Sequence, residues 1–326
     1  MPKPLFSAKL SIKLCLIKEN AMSDIVSERA YAKINLTLDV TGVRPNGYHD
    51  VEMIMQSIGL FDELTAVRIP GNEIRLSCSF NNSLGGMTLP TDDKNLVIKA
   101  ANAFFNICQS NEELKKRLPD ETGVSFTLIK NIPSEAGMGG GSSDAAAALR
   151  ALNRLFNMRL STEDLCSIGS KVGADVPFCV LGGTALAKGI GEILNPLPAA
   201  PDTHLLLVKP PVGASTKEIY DGLVLDENTV HPDTESMIKA LENKDYALMC
   251  SKLSNVLEPV TIRLLPVIGE IKEKNLVLGA DAALMSGSGS TVFGLFSDKE
   301  KALAALEYFK SSKELYCTLT DFTETT

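Results

Sequence analysis

The chain lacks most of the marks that would assign it at a glance. It has no positive excess: 32 Lys and Arg stand against 40 Asp and Glu, a formal net charge of −8 over 326 residues. Such a chain carries no general field for nucleic acid or an anionic membrane, and any anionic ligand would need local positive charge. The three histidines, His49, His204 and His231, are too few and too scattered for a histidine-rich metal site. The seven cysteines are odd in number and never form C-x-x-C. That argues against a disulfide framework and a zinc site, and it fits a reducing cytoplasm. No apolar run reaches the ~20 residues needed to span a membrane. Both common phosphate fingerprints, G-x-x-x-x-G-K-[ST] and G-x-G-x-x-G, are absent as well.

What is present reads as a globular protein. A hydrophobic fraction of 44% with 22% charged residues supports a packed core, and the length suits two lobes. Ala30, Ala32, Ile34, Leu36, Leu38 and Val40 alternate with Tyr31, Lys33, Asn35, Thr37 and Asp39. This predicts a strand over 28–41 with one buried side. Pro45, Asn46 and Gly47 then mark a turn. Further strands are expected near 62–69, 73–79 and 124–130, and helices over 94–108 and 111–117. The stretch NPLPAAPDT, 195–203, is rich in proline and alanine and marks a lobe boundary. Beyond it the pattern predicts a strand at 204–211, helices at 233–243, 245–255 and 259–274, and a strand–turn–strand over 280–296. A helix on DKEKALAALEYFK and a strand on ELYCTLT close the chain. Strands and helices mix in both halves, which predicts an α+β architecture.

The first residues stand apart. MPKPLFSAKLSIKLCLIKENAMSD is basic and mildly apolar, but Lys9, Lys13 and Lys18 break it as a signal peptide. Lys-Glu-Asn-Ala-Met, 18–22, can be encoded AAG GAG AAY GCN ATG, a ribosome-binding sequence before a start codon. Met22 is therefore the expected start and 1–21 a translated leader. Codons 18 and 19 of the gene test this directly.

The richest stretch is IPSEAGMGGGSSDAAAALRALN, 132–153. Gly137, Gly139, Gly140 and Gly141 precede Ser142, Ser143 and a run of apolar residues at helical spacing. Glycine admits positive φ and close approach of a ligand. A helix start presents free N–H groups and partial positive charge. Together they predict a phosphate site, with Ser142 and Ser143 opening the helix, free to cap it, to bind phosphate or to ligate Mg²⁺. A turn without a ligand would need one or two glycines, not four followed by two serines.

PSEAGMGGGSSDAAAAL resembles the phosphate-binding motif of the GHMP kinases. The strand around Lys33 and the late turn MSGSGSTVF resemble two further segments of that superfamily. The resemblance runs from about residue 28 to 320 and leaves 1–21 outside. It implies a two-lobed fold, with an N-terminal ATP-binding lobe over 22–195 and a ferredoxin-like C-terminal lobe over 204–326. It also implies transfer of the γ-phosphoryl of ATP, with Mg²⁺, to the hydroxyl of a small molecule.

Within the superfamily, GYHD, GADVPF and PPVGASTKEIY look most like a member whose alcohol substrate carries a cytidine diphosphate group. On that resemblance Lys33 and Asp175 match the catalytic pair. Asn95, Lys130, Pro133, Gly137, Met138, Gly139, Gly140, Gly141, Ser142 and Ser143 match the ATP site. Asn35, Tyr48, His49, Tyr220, Ser288 and Gly289 match the substrate side, with Tyr48, His49 and Tyr220 against the base. Ser143 is the expected protein ligand of Mg²⁺, with Ser142 as the other choice. A homoserine- or mevalonate-type kinase, a decarboxylase of the same fold and a nucleotide-binding module without catalysis remain as alternatives.

Overall fold

In a computed structural model the described residues are 24–45, 47–81 and 89–324. The leader expectation and Asn46 lie outside them.

The alternating segment is part of a long strand, β1 (Ile25–Val43), paired antiparallel with an equally long β2 (His49–Arg68). Its expected single buried side is not what forms. Lys33, Asn35, Thr37 and Asp39 are buried as well as the apolar set. The reason is the register, which shifts between Tyr31 and Lys33 and again between Asn35 and Thr37. Each extra residue re-aims the side chains after it. The two shifts bracket Lys33–Asn35 and reverse the facing of that segment. Accordingly Ala30, Leu38 and Val40 join one core, while Ala32, Ile34 and Leu36 join another.

The β1–β2 ribbon organises the larger sheet. β3 (Ile74–Phe80) runs parallel to β4 (Val124–Lys130), and β4 pairs with the second half of β2. β5 (Thr184–Lys188) pairs with the first half of β2 and with β6 (Ile193–Leu197). The expected strand at 62–69 is thus the end of β2. Helix α1 (Leu96–Ser110) is capped by Asn95, whose Oδ1 accepts from the Val97 N–H, and α2 (Glu112–Lys115) is capped by Asn111. Helix α3 (Gly140–Leu155) packs against α1, β1 and β2. Ala145, Ala146, Ala147 and Ala148 are all fully buried. A helix apolar on every side is an enclosed one. α4 (Thr162–Gly169) starts with a Ser161–Asp164 capping box, and α5 (Val176–Leu181) follows directly after Asp175.

The second sheet has the order β11 (Tyr316–Asp321), β7 (His204–Lys209), β10 (Val292–Phe296), β9 (Ala282–Met285), all antiparallel. With α10 (Val267–Val277) before β9 and α11 (Lys299–Lys310) before β11, this is the ferredoxin-like order. Short helices α6 (Thr216–Asp221), α7 (Thr234–Glu242), α8 (Tyr246–Ser251) and α9 (Glu258–Leu264) fill the interval. The single helix expected over 259–274 is two, α9 and α10, because Pro266 cannot continue the first. The halves are joined by β8 (Ser254–Asn255), which adds to β1 at Thr37 and Leu38. The two sheets carry the α+β architecture.

Candidate active site

The glycine loop lies between β4 and α3. Gly137 has φ +70°, and a Cβ there would stand 2.0 Å from the Ser286 carbonyl oxygen, so no other residue fits. Gly139 caps α3 at φ +68°, with no side-chain cap. The helix therefore begins at Gly140, two residues before the expected serines. The Ser143 N–H already bonds the Gly139 carbonyl at 2.8 Å. The amides of Gly140, Gly141 and Ser142 are the ones a helix start leaves unpaired within the helix. They carry the positive end of the helix dipole.

The late turn braces this loop. The Ser286 hydroxyl donates to the Gly137 carbonyl at 2.9 Å, and the Thr291 N–H donates to the Ala136 carbonyl at 3.3 Å. Asn255, from β8, donates in turn to the carbonyls of Met285 and Gly287. On the other side the Lys33 N–H donates to the Met138 carbonyl at 3.0 Å, while the Met138 side chain is buried in the core.

A cavity of about 1220 Å³ opens over the loop, and every predicted site residue lines it except Ser143 and Gly289. Ser143 is buried. Its hydroxyl donates to the Tyr31 carbonyl at 2.5 Å and lies 3.4 Å from the Cys179 sulfur. The expected Mg²⁺ ligand Ser143 therefore does not line the cavity. Gly289 packs against Met285 and Thr261 behind the turn.

Lys33 and Asp175 come together from β1 and the start of α5. Lys33 Nζ is 3.5 Å from Asp175 Oδ2 and donates to Asn35 Oδ1 at 2.8 Å. Asn35 donates onward to the Met53 sulfur. Asp175 stands where a helix cap would, yet its side chain makes no cap bond and keeps 31% exposure. A carboxylate beside an ammonium, open to a cavity floored by free amides, can take a proton from a bound hydroxyl.

The nucleotide-side lysine has a different setting. Lys130 Nζ is bonded to Asp62 and, at 2.6 Å, to Asp144, and all three groups are buried. Asp62 also accepts the N–H groups of Asn131 and Ile132 at 2.5 and 2.8 Å. Asp144 has Lys130 as its one donor and faces Asp62, and its Oδ1 is buried without a partner. Burial pushes the Asp144 carboxyl well above the usual carboxylate range against the pull of Lys130. Burial lowers Lys130, but the two carboxylates together outweigh it and hold the ammonium above its ordinary value. A Cβ at Gly140 would lie 3.4 Å from Lys130 Nζ, so the cluster sits directly beneath the loop. Asp62 and Asp144 were not among the expected residues. Asp144 is the lone charge inside GSSDAAAAL, and that was the available signal.

At the other end His49 and Tyr220 meet with ring centroids 4.9 Å apart, and Tyr48 is 58% exposed. Burial, reinforced by the negative Asp175, raises the Tyr220 phenol above its ordinary value. Ser288 shares a 3.0 Å hydrogen bond with Thr216. Asn95 lines the cavity but spends its amide on Pro90 O and the α1 cap. Among the described residues no cluster of three or more His, Cys, Asp or Glu side chains could hold a metal. The cavity does offer the Asp175 carboxylate and Ser142, the sparse oxygen set that suits Mg²⁺ held mainly by phosphates.

These features define a class. The family model for the GHMP kinases N terminal domain matches residues 95–183, and that for the GHMP kinases C terminal matches 237–314. A homoserine kinase structure from Cytophaga hutchinsonii shares the fold, with TM-score 0.72 and 19% identity over 94% of this chain and 96% of that one. Narrower likeness comes from two proteins. The 4-diphosphocytidyl-2-C-methyl-D-erythritol kinase of Lachnoclostridium phytofermentans is 49% identical over 88% of this chain and 93% of its own. A crystal structure of 4-(cytidine 5'-diphospho)-2C-methyl-D-erythritol kinase matches at TM-score 0.72 and 29% identity, over 91% of this chain and all of that one. The chain belongs to the GHMP kinases and, within them, to the 4-diphosphocytidyl-2-C-methyl-D-erythritol kinases.

Proposed function

We propose that the chain uses ATP to phosphorylate the 2-hydroxyl of 4-diphosphocytidyl-2-C-methyl-D-erythritol, a step of non-mevalonate isoprenoid synthesis. The observation that carries the chemistry is the Lys33–Asp175 pair, which shares one cavity with the open amides of α3. Asp175 accepts the hydroxyl proton while the hydroxyl oxygen bonds to the γ-phosphorus and the bond to the β-phosphate oxygen breaks, releasing ADP. Lys33 offsets charge on the moving phosphoryl group. Gly140, Gly141 and Ser142 hold the phosphates through their amides. Mg²⁺ would be held by ATP with Asp175 and Ser142, and supplies charge neutralisation on the phosphates. His49, Tyr48 and Tyr220 take the cytosine. We place the lobe boundary at 195–203, which starts within β6 of the first sheet and ends just before β7 of the second, with a nucleotide lobe over 22–195 and a C-terminal lobe over 204–326.

The test is ADP release by purified protein with Mg-ATP, comparing the cytidine alcohol with homoserine and mevalonate. Turnover with the cytidine compound alone is expected. Turnover with another alcohol would keep the Lys33–Asp175 chemistry and discard the base pocket, and ATP binding without turnover would leave a non-catalytic module. Tyr48→Ala should raise KM for the cytidine substrate more than KM for ATP, and equal effects would remove Tyr48 from the base pocket.

A further inference from the structure

The proposed substrate joins a base to an alcohol through a diphosphate, and none of the roles above answers that charge. Among the described residues the cavity is lined by four lysines and no arginine. Lys33 is committed to Asn35 and Asp175, and Lys130 to Asp62 and Asp144. Lys94 sits beside Asn95 at the start of α1. Lys217 is the fourth, on α6, with 82% of its side chain exposed.

Helix α6 is placed to span the substrate. Thr216 bonds Ser288 of the late turn, near the reacting end, and Tyr220 meets His49 at the base end. Lys217 lies between them, three residues before Tyr220 and so on its face of the helix. One helical turn rises 5.4 Å, which is the scale of a diphosphate. The present partner of Lys217 is Asp221, an exposed i,i+4 ion pair. Such pairs are weak and salt-screened, so a phosphate can displace the carboxylate readily.

We propose that Lys217 binds the diphosphate of the cytidine-bearing substrate, with Asp221 as its resting partner, and so acts as a specificity-determining residue. The inference rests on the reading of the site given under the proposed function. It makes the enzyme's preference for a diphosphate-bearing alcohol partly a property of one exposed charge rather than of the glycine loop.

The experiment measures binding of CDP and of cytidine to the full chain, with saturating ADP and Mg²⁺ filling the nucleotide site. Wild type should bind CDP more tightly than cytidine. Lys217→Met should weaken CDP about tenfold, the worth of one charged hydrogen bond, and leave cytidine and ADP unchanged. Lys217→Arg should recover most of the loss, and Asp221→Asn should tighten CDP by freeing the lysine. Raising the salt should weaken CDP more in wild type than in Lys217→Met. If wild type binds CDP and Lys217→Met binds it equally well, the proposal is overturned while the base pocket stands. Loss of ADP affinity in the same variant would also overturn it, since the cavity as a whole would be disturbed. If wild type binds neither CDP nor cytidine, the reading of the site falls, and this inference with it.

Discussion

Lys33 and Lys130 are two buried lysines on the floor of one cavity, on either side of the glycine loop, and their charges are balanced differently. Lys130 lies between two carboxylates, and the side chains of Lys130, Asp62 and Asp144 are 3%, 0% and 5% exposed. Lys33 faces one carboxylate at 3.5 Å, and that one is 31% exposed. Its other partner, Asn35, is neutral. A charge enclosed between two buried carboxyl groups is cancelled before it reaches a ligand. A charge matched once, by a group open to the cavity, remains available to a phosphoryl group in transit. Lys33 is thus suited to chemistry, and Lys130 chiefly to holding β2, β4 and α3 together under the loop.

The largest expected effect breaks the comparison on the side of chemistry. Asp175→Asn should lower turnover by roughly 10²–10⁴, the usual worth of a positioned acid–base group, while the melting temperature moves little. Steady-state kinetics beside a thermal melt checks both halves. A loss in turnover below about tenfold would reduce Asp175 to the residue that starts α5.

Stability should then separate the two lysines. Lys130→Met leaves Asp62 buried without its counter-ion and Asp144 without its donor, a change that costs about 3–5 kcal/mol in other proteins. Lys33→Met strands only the part-exposed Asp175, which water can solvate, so its cost should be clearly smaller. Urea denaturation of both variants gives the difference. Equal losses would mean that the two lysines do the same structural work.

Much of this site was legible in the sequence because its parts are local. Four glycines before a helix, a strand lysine and an Asp before Val-Pro-Phe are each visible within a few residues. What was hidden depends on partners far along the chain. The bulges that turn Lys33 and Asn35 exist only in the pairing of β1 with β2. Asp62 lies 68 residues from Lys130 and is joined to it only by the pairing of β2 with β4. Ser143 lies off the cavity for a geometric reason: α3 starts at Gly140, so residue 143 is turned toward Tyr31 and Cys179. Pro266 was visible and should have divided the helix expected over 259–274.

The finest test of the contrast concerns protons. Asp62 has three donors and Asp144 has one, with Oδ1 unpartnered. Burial holds the Asp144 carboxyl well above its ordinary value of 3.8. The sign of the linkage follows. A group whose folded value is raised contributes stability that is complete below the unfolded value and is lost as pH rises through the folded one. Asparagine at 144 cannot titrate and so escapes that loss. The raised Lys130 does not interfere, because its contribution is lost only above the ordinary lysine value of 10.5. The margin by which wild type exceeds Asp144→Asn in stability, the gap between the two, should narrow as pH is raised from 5 to 8. Melting curves of the two proteins across that range decide it. A gap that stays constant with pH would show that Asp144 ionises as freely as an exposed aspartate, and the cluster under the loop would then carry a net negative charge where ATP has to bind.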